Sequence, residues 1–262
     1  GGKNLGLRAD TITVGGTVNS AGGNTVTFEP GADNGTLTVA TTSSNPGLLL
    51  TPTLLNKFSG FANITLGSLA NPYTIAVGSL SLPTALTAYS SSGNISFGKL
   101  GGGSAVTAQT TGRIDLNDVI GGSVDADKLA SLSLNGQIHV NTGSVRTTGN
   151  QSYTASTGTV ALSQDTALDA GAGTITASAI DGGDHSLSLT SGNAASNAVQ
   201  LGAVDHVSTL VVSGKATLAG DVTTTGTQTY NQAVTLSQSG VTTLTGSTMT
   251  LKSTLDGTAD GV

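Results

Sequence analysis

The chain has 262 residues, 36% hydrophobic, 9% charged and 3% aromatic, with 38 glycines, no cysteine and a formal net charge of −6. That size can bury a continuous core, and the regularly placed aliphatics exclude a disordered polar linker. Scattered charges without basic runs exclude a nucleic-acid partner, the missing cysteines exclude a disulfide framework, and no apolar run approaches the ~20 residues that span a bilayer.

In chain order, Leu5 and Leu7 open a strand-like pattern. Thr11–Val14, Thr25–Phe28 and Thr36–Val39 are short alternations of β-branched polar and apolar residues bounded by Gly, Asn or Asp, which supply turns. Leu48–Leu50, Leu54, Leu55 and Phe58 are spaced more like a helix; Thr51 can cap a short helix whose first position is Pro52, where the missing amide proton is not needed, with one or two turns over 53–58. Strands resume at Ile64–Leu66, Thr74–Val77, Leu80–Leu82, Leu86–Ala88 and Ile95–Phe97. The glycines 101–103 read as an interior loop, because Ala105–Thr107, Ile114–Leu116 and Val119–Ile120 continue the pattern.

The second half contains a tandem repeat, the feature that decides the fold class. Val145–Tyr153 (VRTTGNQSY) matches Val222–Tyr230 (VTTTGTQTY), and Leu132–Gly136, Val160–Gln164 and Thr174–Thr176 with Ile180–Gly182 match later segments; the offsets are 78, 77, 74 and 75. Apolar centres in the second copy recur about every seven residues, one short strand plus a turn. Three such units close a coil of about 21 residues, so the repeat is expected to hold about four coils with equivalent residues stacked. The fold class is therefore all-β, a parallel β-helix with one continuous stack over 1–262: irregular coils over 1–123, a first clear repeat over 124–203, and a second, cut-short copy over 204–262. An opening without initiator methionine or signal run, and ends that fall inside the pattern, lead us to expect a fragment of a longer protein.

The pattern of Leu7–Gly16, Thr25–Pro30 and Leu54–Phe58 running into Ile64–Gly67, with Thr224–Tyr230 and Thr245–Leu251, resembles the repeat region of filamentous-haemagglutinin-type proteins, the large bacterial adhesins exported by two-partner secretion or autotransporter routes. The resemblance implies a right-handed β-helix, secreted and displayed outside the outer membrane. It implies contact with host or neighbouring-cell surfaces through other parts of the parent protein, and self-association into filaments. Asn45-Pro-Gly-Leu48 is similar to an Asn-Pro motif of that family's secretion domain, but the repeats around it make it a turn.

Residues that could carry chemistry are few. His139, His185 and His206 lack metal-ligand spacing, and His139 alternates with Ile138 and Val140, which points it outward. Asp181-Gly-Gly-Asp-His185, and its later counterpart Asp256 to Asp260, gather oxygens but lack a calcium-loop motif, so they read as corners. Glycines 101–103 and 121–122 are not phosphate loops, since no long helix follows. Arg113, Asp115, Asp118, Asp125, Asp127 and Lys128 form the densest charged group, the place where a polysaccharide-cleaving β-helix would hold its acid and base. Thr-x-Thr pairs at 11/13, 25/27, 36/38, 174/176 and 248/250 raise an ice-binding surface. We assign no catalytic, cofactor-binding or metal residue and no cofactor. The function read from the sequence is a structural and adhesive stalk without catalysis; the alternatives are an ice-binding or carbohydrate-binding β-helix and, after those, a polysaccharide-cleaving enzyme.

Overall fold

The computed structural model describes residues 3–194 and 198–257, of which strands dominate, with 51% strand against 3% helix. Every pairing is parallel, and the chain winds into a β-solenoid of about 12 turns with roughly 21 residues per turn. Three inward columns define three faces. The first runs Leu5, Val26, Ile64, Leu86, Val106, Leu132, Gln151, Ile175, Val199, Ala216, Val234, Leu255. The second passes through Leu37, Ile75, Ile95, Ile114 and Ile138 to Ile180, Val204, Val222 and Leu244. Leu80, Leu100, Ile120, Val145, Leu168, Leu189, Val212, Tyr230 and Leu251 make the third.

Alternation along each strand decides which side chain enters. Thr25–Glu29 buries Val26 and Phe28 completely while its threonines face out, and Ser131–Val140 does the same with Leu132, Leu134, Ile138 and Val140. Each fully buried Val, Leu or Ile contributes about 1.5–3 kcal/mol relative to exposure, and like residues above and below keep the column free of voids. At the last described level no described residue covers the column, and Leu251 and Leu255 are 39% and 43% exposed.

The first two coils depart from the expected pattern. Leu48–Leu50 is a strand, not part of a helix, and it pairs with Leu37–Val39, whose other flank is taken by Thr74–Val77. Both sides being filled, Thr11–Val14 has no ladder partner; only Ile12 and Val14 pack on the core. The helix α1 spans Pro52–Leu55, starting at the expected Pro52 but ending three residues short of Phe58, with Thr51 Oγ1 accepting the Leu54 amide at 3.1 Å. Phe58 begins the next strand and sets its ring edge-on to Phe28, centroids 5.0 Å apart. This inserted stretch lengthens one first-face step, Val26 to Ile64, to 38 residues.

The matched segments do not stack on one another. Val145 lies on the third face and Val222 on the second; Leu132 lies on the first and Leu210 on the third; Val160 lies on the second and Val234 on the first. Ile175 and Met249 differ likewise, as do Ile180 and Leu255. Counting strands along the three columns, each partner lies eleven positions on, or three and two-thirds turns. The expectation of about four turns with stacked equivalents is corrected: variable corner lengths hide the missing third of a turn.

What the repeat encodes is a buried corner of the form Thr-x-Gly-x-Gln-x-Tyr. Gln151 and Gln228 occupy inward positions at 0% exposure. The Gln151 amide donates to Asp169 O at 2.8 Å in the next coil and lies 3.3 Å from Val145 O, before the corner; the Tyr153 hydroxyl donates to Gln151 Oε1 at 2.9 Å. Gln228 repeats this with Thr245 O at 2.6 Å, Val222 O at 3.1 Å and the Tyr230 hydroxyl at 3.0 Å. Thr147 and Thr224 close the turn by donating to Gly149 O and Gly226 O. The glycines permit contact with the coil before: a Cβ would stand 2.5 Å from Ala130 O at Gly149 and 2.6 Å from Ser208 O at Gly226. One cassette thus turns two different corners of the triangle.

Candidate functional site

The charged residues singled out from the sequence are not gathered into one cluster; of them only Asp118 and Asp127 line the adjoining cavities of the third face. Arg113 pairs with Asp115 at 2.8 Å on the second face, where Asn141 also reaches Asp115 at 3.3 Å. Lys128 bridges Asp125 at 3.2 Å and Asp169 at 3.3 Å. Asp118 turns back on its own loop to accept the Val119 amide at 2.6 Å. In each of these contacts a carboxylate is matched to a cation or an amide.

His139 faces out from its strand, between buried Ile138 and Val140. His206 lies 3.2 Å from Asp181 of the preceding coil and 3.8 Å from Asp205, and His185 lies 3.8 Å from Asp165. Asp184 and His206 hold positive φ angles of 65° and 50°, consistent with tight corners. Among the described residues no group of three or more His, Cys, Asp or Glu is placed to hold a metal ion. Of the later counterpart only Asp256 and Gly257 are described; 258–260 lie outside.

Two surfaces emerge that the sequence did not disclose. On the first face, the outward position between two inward residues reads Thr27, Thr65, Thr87, Thr107, Ser133, Ser152, Thr176, Gln200, Thr217, Thr235 from level to level. Nine of these ten carry a hydroxyl, at a spacing of about 4.8 Å. The Thr-x-Thr pairs are a poor guide to it: 25/27 and 174/176 lie on this face, but 36/38 lies on the second and 248/250 on the third. The ladder is assembled by register across coils of unequal length, so no fixed sequence period reveals it.

On the third face two adjoining cavities, of about 410 and 430 Å³, share Lys99, Gly122 and Ser123. The loop 117–130 overhangs them, and the 3₁₀ turn Asp125–Asp127 forms one wall. Asp127 sits against backbone that only glycine leaves open: a Cβ on Gly122 would stand 2.4 Å from the Asp127 Cβ. Arg146 and Ser144 line the far end.

No family model matches the chain, and neither a curated protein nor a solved structure is significantly similar to it.

Proposed function

We propose that the chain is a structural and adhesive segment of a secreted bacterial surface protein of the filamentous-haemagglutinin type, a stiff rod that spaces or displays a binding tip. What supports this reading is the uninterrupted first-face column: twelve levels, each templating the next, give a rod about 50 Å long in which ladder hydrogen bonds run along the axis. Such a ladder resists tension and offers further coils, or further chains, an edge to join. No helix among the described residues is long and apolar enough to cross a membrane. The test is electron microscopy of the full-length parent protein on intact cells, decorated with antibody raised against this segment. Extended projections labelled along their shafts are expected; label confined to the cell interior would overturn the reading.

A second reading is favoured by one observation, the hydroxyl ladder, whose rigid spacing and paired methyl and hydroxyl groups can order water into an ice-like layer. Thermal hysteresis at millimolar protein supports it, and freezing indistinguishable from that of a protein-free buffer removes it.

A further inference from the structure

The groove on the third face holds polar groups that the fold does not use. Of the other cations, Arg8, Arg113 and Lys128 pair with carboxylates and Lys57 and Lys215 donate to carbonyl oxygens, whereas Lys3 and Lys252 have neither among the described residues. Lys99 and Arg146 have no ion pair or hydrogen bond among the described residues, and both line this groove. The Ser144 hydroxyl, shielded from solvent, has no hydrogen-bond partner either, although it borders the same space. A buried hydroxyl left without a partner costs free energy, which a polar ligand in the groove relieves. Asp127, whose carboxylate has no partner among the described residues, and Asp118, which accepts the Val119 amide, add two carboxylates to the lining.

The register fixes the spacing. Lys99 precedes Leu100 and Arg146 follows Val145, two levels further along the column. Two levels along the axis and two residues along the strand put their Cα atoms ~12 Å apart on a diagonal. Two cations at that separation suit a ligand with anionic groups along a chain rather than a single small anion. The two carboxylates of the lining, Asp118 beside both cations and Asp127 in the adjoining cavity, disfavour a dense polyanion but accept hydrogen bonds from hydroxyls. The serine hydroxyls and glycine backbone leave a shallow floor without bulky side chains.

We infer that this groove binds a linear sugar acid, a uronate oligosaccharide, whose carboxylates pair with Lys99 and Arg146 and whose ring hydroxyls meet Asp127 and Ser144. The chemistry of the groove is independent of where the rod is displayed, so its failure leaves the stalk reading untouched.

Isothermal titration of the whole chain with trigalacturonate tests it, with maltotriose and succinate as comparison probes. Saturable binding is expected for the trigalacturonate, about tenfold or more tighter than for either comparison probe. Lys99→Ala and Arg146→Ala should each weaken binding several-fold and the pair of changes by more than about tenfold, with melting unchanged because neither side chain has a partner in the fold. Lys252→Ala, further along the third face, should leave binding as it was. Absence of saturable heat with trigalacturonate, equal affinity for succinate, or an unaltered titration in the double variant each overturns the assignment.

Discussion

Removing one hydroxyl tests the corner cassette. Tyr153→Phe deletes the donor to Gln151 Oε1 and leaves that oxygen in a fully buried site. A stranded buried acceptor costs about 1–3 kcal/mol, more than the net worth of the bond it lost. Gln151→Leu removes the amide that joins Val145 O to Asp169 O and strands the tyrosine hydroxyl, so about 2–4 kcal/mol is expected. The double variant Gln151→Leu, Tyr153→Phe leaves neither group stranded and should cost less than the sum of the singles by about 1–2 kcal/mol. Because coils open locally, the readout is urea unfolding combined with amide hydrogen exchange over 145–155. Tyr230→Phe and Gln228→Leu should behave alike although they turn a different corner. Tyrosine variants within ~0.3 kcal/mol of the parent, or strict additivity in both cycles, would show that the network does not hold the corners.

Two further outcomes follow from the same packing. Leu134→Asp and Val212→Asp each place a charge in a fully buried column and should melt the neighbouring coils, whereas Thr225→Ser on an exposed corner should shift the melting temperature negligibly; Asp variants that melt with the parent would contradict the inward facing. Burial raises the ionisation of Tyr153 and Tyr230 above the ordinary 10.0, and burial with a hydrogen bond to Glu29 raises that of Tyr73. Since the folded state holds these protons more tightly, stability should be level below pH ~10 and fall above it, by up to about 1.4 kcal/mol per pH unit per tyrosine. Alkaline unfolding monitored by tyrosinate absorbance checks this; three tyrosines ionising near 10 in a still-folded chain would refute it.

Strand location was legible in the sequence because two-residue alternation is local. Val222–Thr224, Thr227–Tyr230 and Val234–Leu236 stand where the apolar centres put them. The coil length was legible too, since about seven residues per strand and turn fixes a three-sided path. Leu48–Leu50 was misread because three consecutive leucines carry no period, and only the unpaired flank of Leu37–Val39 makes them a strand. Gln151 and Gln228 were visible as repeated letters, yet their burial was not: glutamine is ordinarily exposed, and the carbonyls that satisfy it come from neighbouring coils. The groove was hidden for a related reason, as Lys99 and Arg146 are 47 positions apart in the chain and meet only through the column of Leu100, Ile120 and Val145.

An eleven-strand repeat on a three-strand coil makes a prediction about shape. Each copy carries its surface residues to a different face, so a pattern repeated in sequence is distributed around the rod instead of along one side. Ser152 and its counterpart Thr229 occupy the first and third faces, while the residue stacked four levels from Ser152 is Thr235. Spin labels at Ser152 and Thr235 should report a backbone separation near ~19 Å, four ladder spacings, and labels at Ser152 and Thr229 a longer one. The reverse order would mean that the repeat closes on whole turns and that equivalent residues share a face. With whole turns, residues matched between the copies would line one edge of the rod; with eleven strands the two copies present them on two different faces.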